Sequence, residues 1–169
     1  MPPSGPGGAT GSEKRPLAAF DLDDALADTA HRKRFLEHGP RDRDSFFAAA
    51  PHDPPLVEGV ALVRESTREC GIVRPTGRPE RRRCDTLDRL PAHGLPDGPV
   101  RMRGDADRRP ARYTRPAMPR RLARTRETRM LVDEEPVCAD ARRAGFAVVH
   151  ARWTAPPGAG GGAGAGAGT

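Results

Sequence analysis

The sequence predicts an α/β fold, a parallel sheet with helices on both faces, and three observations predict it. Short apolar runs recur at about 17–22, 72–73, 100–103, 130–133 and 146–149. Segments with helical spacing of apolar residues lie between them. Three of the runs end in residues suited to chemistry: Asp21 and Asp23, then Thr76-Gly77-Arg78, then Asp133-Glu134-Glu135. In open α/β sheets the carboxyl ends of the strands are where ligands bind.

Taken in order, residues 1–15 hold Pro, Gly, Ser and charge without an apolar period, and read as a disordered N-terminal segment. Strand one spans 17–22. A polar segment, 31–37, has Phe35 and Leu36 as its apolar content, and 41–50 with Phe46 and Phe47 predicts a short helix. Leu56, Val60 and Val63 predict a helix over 56–69, with Gly71 as its stop. Ile72 and Val73 start a short second strand, which Arg74-Pro75 interrupts because proline removes a ladder donor. Pro79 suits the first turn of a helix and Glu80 its positive end. That helix carries Cys84, Leu87 and Leu90 and ends at 91–94.

A third strand follows at 100–103, then an Arg-rich loop over 104–115. A helix over 116–125 must start late because of Pro116 and Pro119. The fourth strand, 130–133, ends in acid. Val137, Ala141 and Ala144 line a helix closed by Gly145, and the fifth strand, 146–149, has Trp153 packing near its end. Residues 155–169 are almost all Gly and Ala and read as a flexible tail, so the expected folded domain is 16–154.

The net charge is +6, and of 29 basic residues all but Lys14 and Lys33 are arginine. With 19 Gly and 19 Pro, this reads first as compositional bias, with a nucleic-acid surface as the competing reading. No apolar run approaches the roughly 20 residues of a membrane span. The N-terminus lacks a signal-peptide core, so a cytoplasmic protein without membrane partners is expected. The 3 cysteines, Cys70, Cys84 and Cys138, are odd in number and form no Cys-x-x-Cys pair, which argues against disulfides and structural zinc. His52, His93 and His150 have no metal-ligand spacing. No Gly-x-x-x-x-Gly-Lys-Ser/Thr loop occurs, so any kinase partner is expected to be another chain.

Alternate residues of a strand share a face, so Asp21 and Asp23 start on one side. Two carboxylates this close repel, and a divalent cation relieves the repulsion. One acid can then act as nucleophile and the other as proton donor. An acid pair, a hydroxyl, a cation and a second acid cluster, in that order, suit phosphoryl transfer through an acyl-phosphate.

The stretch Phe20-Asp21-Leu22-Asp23-Asp24-Ala25 and the following Leu26-Ala27-Asp28-Thr29 resemble motif one of the haloacid dehalogenase (HAD) superfamily, Asp-x-Asp-x-Thr after a strand. Thr76-Gly77-Arg78-Pro79-Glu80, Val100-Arg101-Met102-Arg103 with Asp105 to Arg109, and Val132-Asp133-Glu134 with Val137 point within it to the phosphatase domain of polynucleotide kinase-phosphatases. The resemblance covers about residues 17–153. It implies a three-layer α/β/α sandwich with a five-stranded parallel Rossmann-like sheet ordered 5-4-1-2-3, and a minimal cap from 30–55.

It further implies that Asp21 is nucleophile and Mg2+ ligand, and that Asp23 is general acid/base with its backbone carbonyl on the metal. Thr76, beside Gly77, would bind a phosphoryl oxygen. Arg115 falls where the family places a lysine. Asp133, with Glu134 beside it, would complete the metal site, and Arg78 and Arg103 would bind the substrate. The substrate it implies is a phosphorylated nucleic-acid end.

The chain departs from the pattern at Asp24 for a common Gly, Ala25 for the usual Thr, Arg115 for Lys, Glu134 for Asp, and at Pro75. These departures carry the alternative: a catalytically impaired relative that binds phosphorylated ligands or nucleic acid. A third option is an interaction module using the Arg-rich loop 101–112.

Overall fold

The computed structural model describes residues 15–109, 120–122, 124, 127–133 and 135–153. Arg115, Glu134, both expected flexible termini and most of the helix expected at 116–125 lie outside the described residues; 120–122 are helical. Five strands, β1 (Leu17–Phe20), β2 (Gly71–Pro79), β3 (Val100–Arg103), β4 (Thr128–Asp133) and β5 (Val148–His150), form one sheet ordered β3-β2-β1-β4-β5. Every pairing is parallel, and the order is the expected one read from the opposite edge.

β1 is central, and its four residues are all buried. Its alternation feeds two cores, as the pleat requires. Ala18, Phe20 and Leu22 pack with Val60 and Val63 of helix α3 (Val57–Ser66), with Leu90 of α4 (Arg83–Ala92) at the margin. Leu17 and Ala19 pack with Leu122 and with Val137 and Ala141 of α5 (Glu135–Arg143). Helices thus cover both faces of the sheet, completing three layers. Among the described residues no helix is long and apolar enough to cross a membrane.

The structure corrects several boundaries. α3 ends at Ser66, earlier than its apolar period suggested, and Gly71 opens β2 instead of stopping the helix. β2 runs on through Thr76-Gly77-Arg78 to Pro79. Its first residues pair with β1 and its later ones with β3, from Arg74↔Val100 to Pro79↔Arg103.

Pro75 is tolerated for a geometric reason. The Arg74 N–H bonds the Pro99 carbonyl on the β3 side at 2.9 Å, so the missing Pro75 donor falls on the β1 side, just past where β1 stops. Arg74 is buried beside it and donates to the carbonyls of Gly98, at 3.0 Å, and Pro96. A 3-10 turn, Glu80–Arg82, separates Pro79 from α4. β5 lies slightly later than the expected strand.

Between β1 and α3 the chain makes a closed excursion with α1 (Arg34–Glu37) and α2 (Arg43–Ala48). Its neck is tied where the Asp28 N–H meets the Pro54 carbonyl and the Leu56 N–H meets the Leu26 carbonyl, each at 2.9 Å. This small cover returns to the sheet edge where it left, so side chains at its two ends can meet the ends of the strands.

α3 lies close against the turn after β1. A Cβ on Gly59 would stand 2.0 Å from the Ala25 carbonyl oxygen. Gly59→Ala therefore forces the helix and the turn apart, and it should lower stability by about 2 kcal/mol, read from urea unfolding. A change below about 0.5 kcal/mol would show that this contact is slack.

Candidate active site

β1 ends at Phe20, but the next residue stays on the ladder: the Asp21 N–H bonds the Val132 carbonyl of β4 at 3.0 Å. Asp21 and Asp133 therefore emerge from adjacent parallel strands at the same edge, and both are buried. The chain then turns, with the Leu22 carbonyl accepting from the N–H groups of Leu26 and Ala27, both at 2.9 Å.

Asp24 sits in the left-handed region at φ 61. That explains why glycine suits the position and why an aspartate, which tolerates this region better than most residues, can replace it. The Thr29 hydroxyl donates to Asp24 Oδ1 at 2.5 Å, and Lys33 Nζ lies 3.3 Å from Oδ2. Ala25 offers no hydroxyl; Thr29, four residues on, supplies one to the turn.

Asp23 is the centre of a charged ring. Its Oδ1 accepts from Arg32 Nη2 at 2.8 Å and from Arg78 Nε and Nη2 at 2.9 and 2.7 Å. Both guanidiniums also reach Asp53. Arg32 donates to it through Nε at 2.8 Å and Nη2 at 2.7 Å, and Arg78 through Nη2 at 3.0 Å. His31 Nε2 adds a contact to Asp53 at 2.9 Å. Two acids and two arginines close a neutral circuit in which Arg32 and Asp53 are fully buried. Phe46 backs it, with its ring centroid 4.1 Å from the Arg32 guanidinium and its carbonyl 3.3 Å from Nη1.

Burial pushes the Asp23 carboxyl upward, but the Arg78 and Arg32 charges and their hydrogen bonds outweigh it and hold it below the usual carboxylate range. A lowered folded-state value means a stabilisation present above the ordinary range and lost as pH falls through the lowered value. Denaturant midpoints should thus hold down to about pH 4 and then drop, and Asp23→Asn should flatten that drop. An unchanged acid limb in the variant would place the acid sensitivity elsewhere.

The other sequence-predicted residues are placed unevenly. Thr76 is buried within β2, and its Oγ1 accepts the Arg78 N–H at 3.2 Å, leaving its own hydroxyl proton to donate. Among the described residues, nothing lies within 4 Å of where a Cβ on Gly77 would stand. Arg78, read from the sequence as a substrate contact, is buried against Asp23 and Asp53. Arg103 shares the sheet edge with Pro79 through their register pairing. It donates to the Arg109 carbonyl and lies 3.8 Å from Asp107. Cys138 donates its thiol to the Asp133 carbonyl at 3.1 Å, and burial, with Asp133 beside it, pushes the thiol up to about 11. It is a structural donor, not a nucleophile.

The sequence reading missed Arg32 and Asp53. Arg32 stands among His31, Lys33 and Arg34, and nothing in its spacing separates it from exposed arginines. For Asp53 the one available signal is the rigid Pro54-Pro55 that follows it.

Asp21 and Asp133 offer a hard cation two buried carboxylates at adjacent strand ends. This all-oxygen donor set fits Mg2+, which keeps several waters and takes one or two carboxylates. Among the described residues no third His, Cys, Asp or Glu gathers with them into a metal cluster. The Asp23 Oδ1 is taken by the arginines.

No family model and no curated protein matches the sequence. Solved structures do match. One chain of the Pnkp1/Rnl/Hen1 RNA repair complex superposes with a TM-score of 0.61 at 16% identity, over 80% of this chain and 42% of its own. A chain from another structure of the Pnkp1/Rnl/Hen1 complex gives 0.64 at 15%, over 82% and 45%. The fold is shared. The protein spans less than half the length of each of these two chains.

Proposed function

We propose that the protein is a magnesium-dependent phosphohydrolase of HAD type that works through an aspartyl-phosphate on Asp21, with phosphorylated nucleic-acid ends as substrate. The observation that carries this reading is the placement of buried Asp21 beside Asp133 at one sheet edge, two residues before an acid held by two arginines. When bound, Mg2+ shields the charge between an attacking carboxylate and a phosphoryl dianion.

The rest falls to the chain's own residues. An Asp21 oxygen attacks phosphorus, the bond to the leaving oxygen breaks, and that oxygen takes a proton from Asp23. Asp23 Oδ2 lies outside the three arginine bonds and is the oxygen to carry that proton. Asp23 then takes a proton from the water that hydrolyses the acyl-phosphate. The Thr76 hydroxyl and the backbone at Gly77 serve the phosphoryl oxygens, and the resemblance adds Arg115 there and Glu134 beside Asp133. Arg78 can exchange Asp23 for the phosphoryl group. With one guanidinium gone, Asp23 gains proton affinity at the moment it must act as an acid. The nucleic-acid assignment draws on the fold shared with a chain of an RNA repair complex, the net charge of +6 and the exposed Arg101 and Arg108.

One observation favours the alternative, a relative that binds phosphorylated ligands without turnover: the proton donor this mechanism needs accepts three hydrogen bonds from two guanidiniums, whose charges lower its carboxyl below the usual range. Phosphate release from a 3′-phosphorylated oligonucleotide and from an aryl phosphate, with Mg2+ or a chelator, separates the two. Mg2+-dependent release, faster on the oligonucleotide, supports the enzyme. Salt-sensitive oligonucleotide binding with no release from folded protein supports the alternative.

A further inference from the structure

Trp153, the chain's one tryptophan, donates its indole N–H to the Ala25 carbonyl at 2.9 Å, across 128 residues of sequence. Three neighbouring carbonyls of the turn have backbone partners: Leu22 takes the Leu26 and Ala27 amides, Leu26 takes Leu56, and Ala27 takes Asp24. Ala25 is fully buried, and its carbonyl faces the Gly59 backbone so closely that a Cβ there would stand at 2.0 Å. Water has no way in from that side, so the indole provides the bond that a buried carbonyl needs. The same turn holds Asp24 at φ 61, a conformation that persists when the surroundings over-determine it.

We propose that Trp153 is a positioning residue for the candidate site: its N–H fixes the Ala25 carbonyl and, through the turn, the orientation of Asp21 and Asp23. It acts from the far end of the chain, just beyond β5, and packs partly buried against the core that holds Phe20 and Leu22. The clasp rests on geometry alone; its effect on turnover rests on the phosphohydrolase reading.

Three measurements on the full chain test it. In the wild-type protein the single indole N–H resonance should exchange with solvent at least about tenfold more slowly than in a free indole; equal rates would overturn the clasp. Trp153→Phe keeps the aromatic bulk and removes the donor. Amide exchange over residues 21–28 should then quicken by about tenfold while α5 keeps its protection. Equal protection of 21–28 in both proteins would overturn the proposal.

With phosphate release as readout, Trp153→Phe should lower kcat by about tenfold at unchanged KM. Faster exchange with unchanged kcat would refute the catalytic part. If the wild-type chain shows no turnover but the exchange difference is present, the phosphohydrolase reading falls and the clasp stands.

Discussion

Asp53→Ala should destabilise the protein by about 3–5 kcal/mol, the cost of stripping one partner from a buried ion pair. Asp53 is fully buried and accepts two bonds from Arg32, one from Arg78 and a contact from His31. Its removal leaves a fully buried guanidinium with Asp23 and the Phe46 carbonyl as its hydrogen-bond partners. The loss is one of balance. Two acids and two arginines sum to zero, whereas one acid and two arginines do not.

Replacing Arg32 by Met as well should therefore recover part of the stability, because a buried pair exchanged for apolar groups is often close to neutral. Urea unfolding of the two single variants and the double variant measures the coupling. An Asp53→Ala cost below about 1 kcal/mol, or strict additivity, would show that the ring does not act as a unit.

Asp21→Asn should do the opposite to the two readouts. Turnover should fall by at least about a thousandfold, because a carboxamide cannot form the acyl-phosphate. Stability should hold or rise slightly. The side chain keeps its shape, the Asp21 N–H keeps the Val132 carbonyl, and the repulsion between the Asp21 and Asp133 carboxylates is relieved. A group retained for chemistry often costs stability, whereas one retained for the fold supplies it. Asp21 and Asp53 should fall on opposite sides of that division, which phosphate release and denaturant curves on the same two variants would show. Residual turnover within about tenfold of wild type in Asp21→Asn would remove Asp21 from the mechanism.

The contrast between those residues also explains what the sequence discloses. Asp21 and Asp133 are legible because each ends a short apolar run, and alternation plus strand ends mark an edge where ligands bind. Alternating strands and helices give a parallel sheet but not its order, which the family resemblance supplied. Arg32 and Asp53 are not legible, because they belong to a cover built of helices of four and six residues, too short to show a period. What brings them to Asp23 is the hydrogen-bonded neck at Asp28 and Pro54, a tertiary closure with no local signature.

In a chain where nearly every basic residue is arginine, a buried arginine reads like an exposed one. The same limit hid the second half of β2. Arg74, Thr76 and Arg78 look like the polar end of a strand, yet all are buried, because β3 takes over as partner where β1 stops. The role of Trp153 was half visible: a packing residue near the last strand, without its hydrogen bond to Ala25.

The central claim is that Asp21 carries a phosphoryl group, and acid-quenched mass spectrometry tests it most directly. Protein mixed with a phosphorylated oligonucleotide and Mg2+, quenched within a turnover and digested, should yield a phosphorylated peptide containing Asp21. That peptide should be labile to hydroxylamine, as an acyl-phosphate is, and absent with chelator or in Asp21→Asn. Phosphate release with no adduct on Asp21, or an adduct that survives Asp21→Asn, would contradict the account.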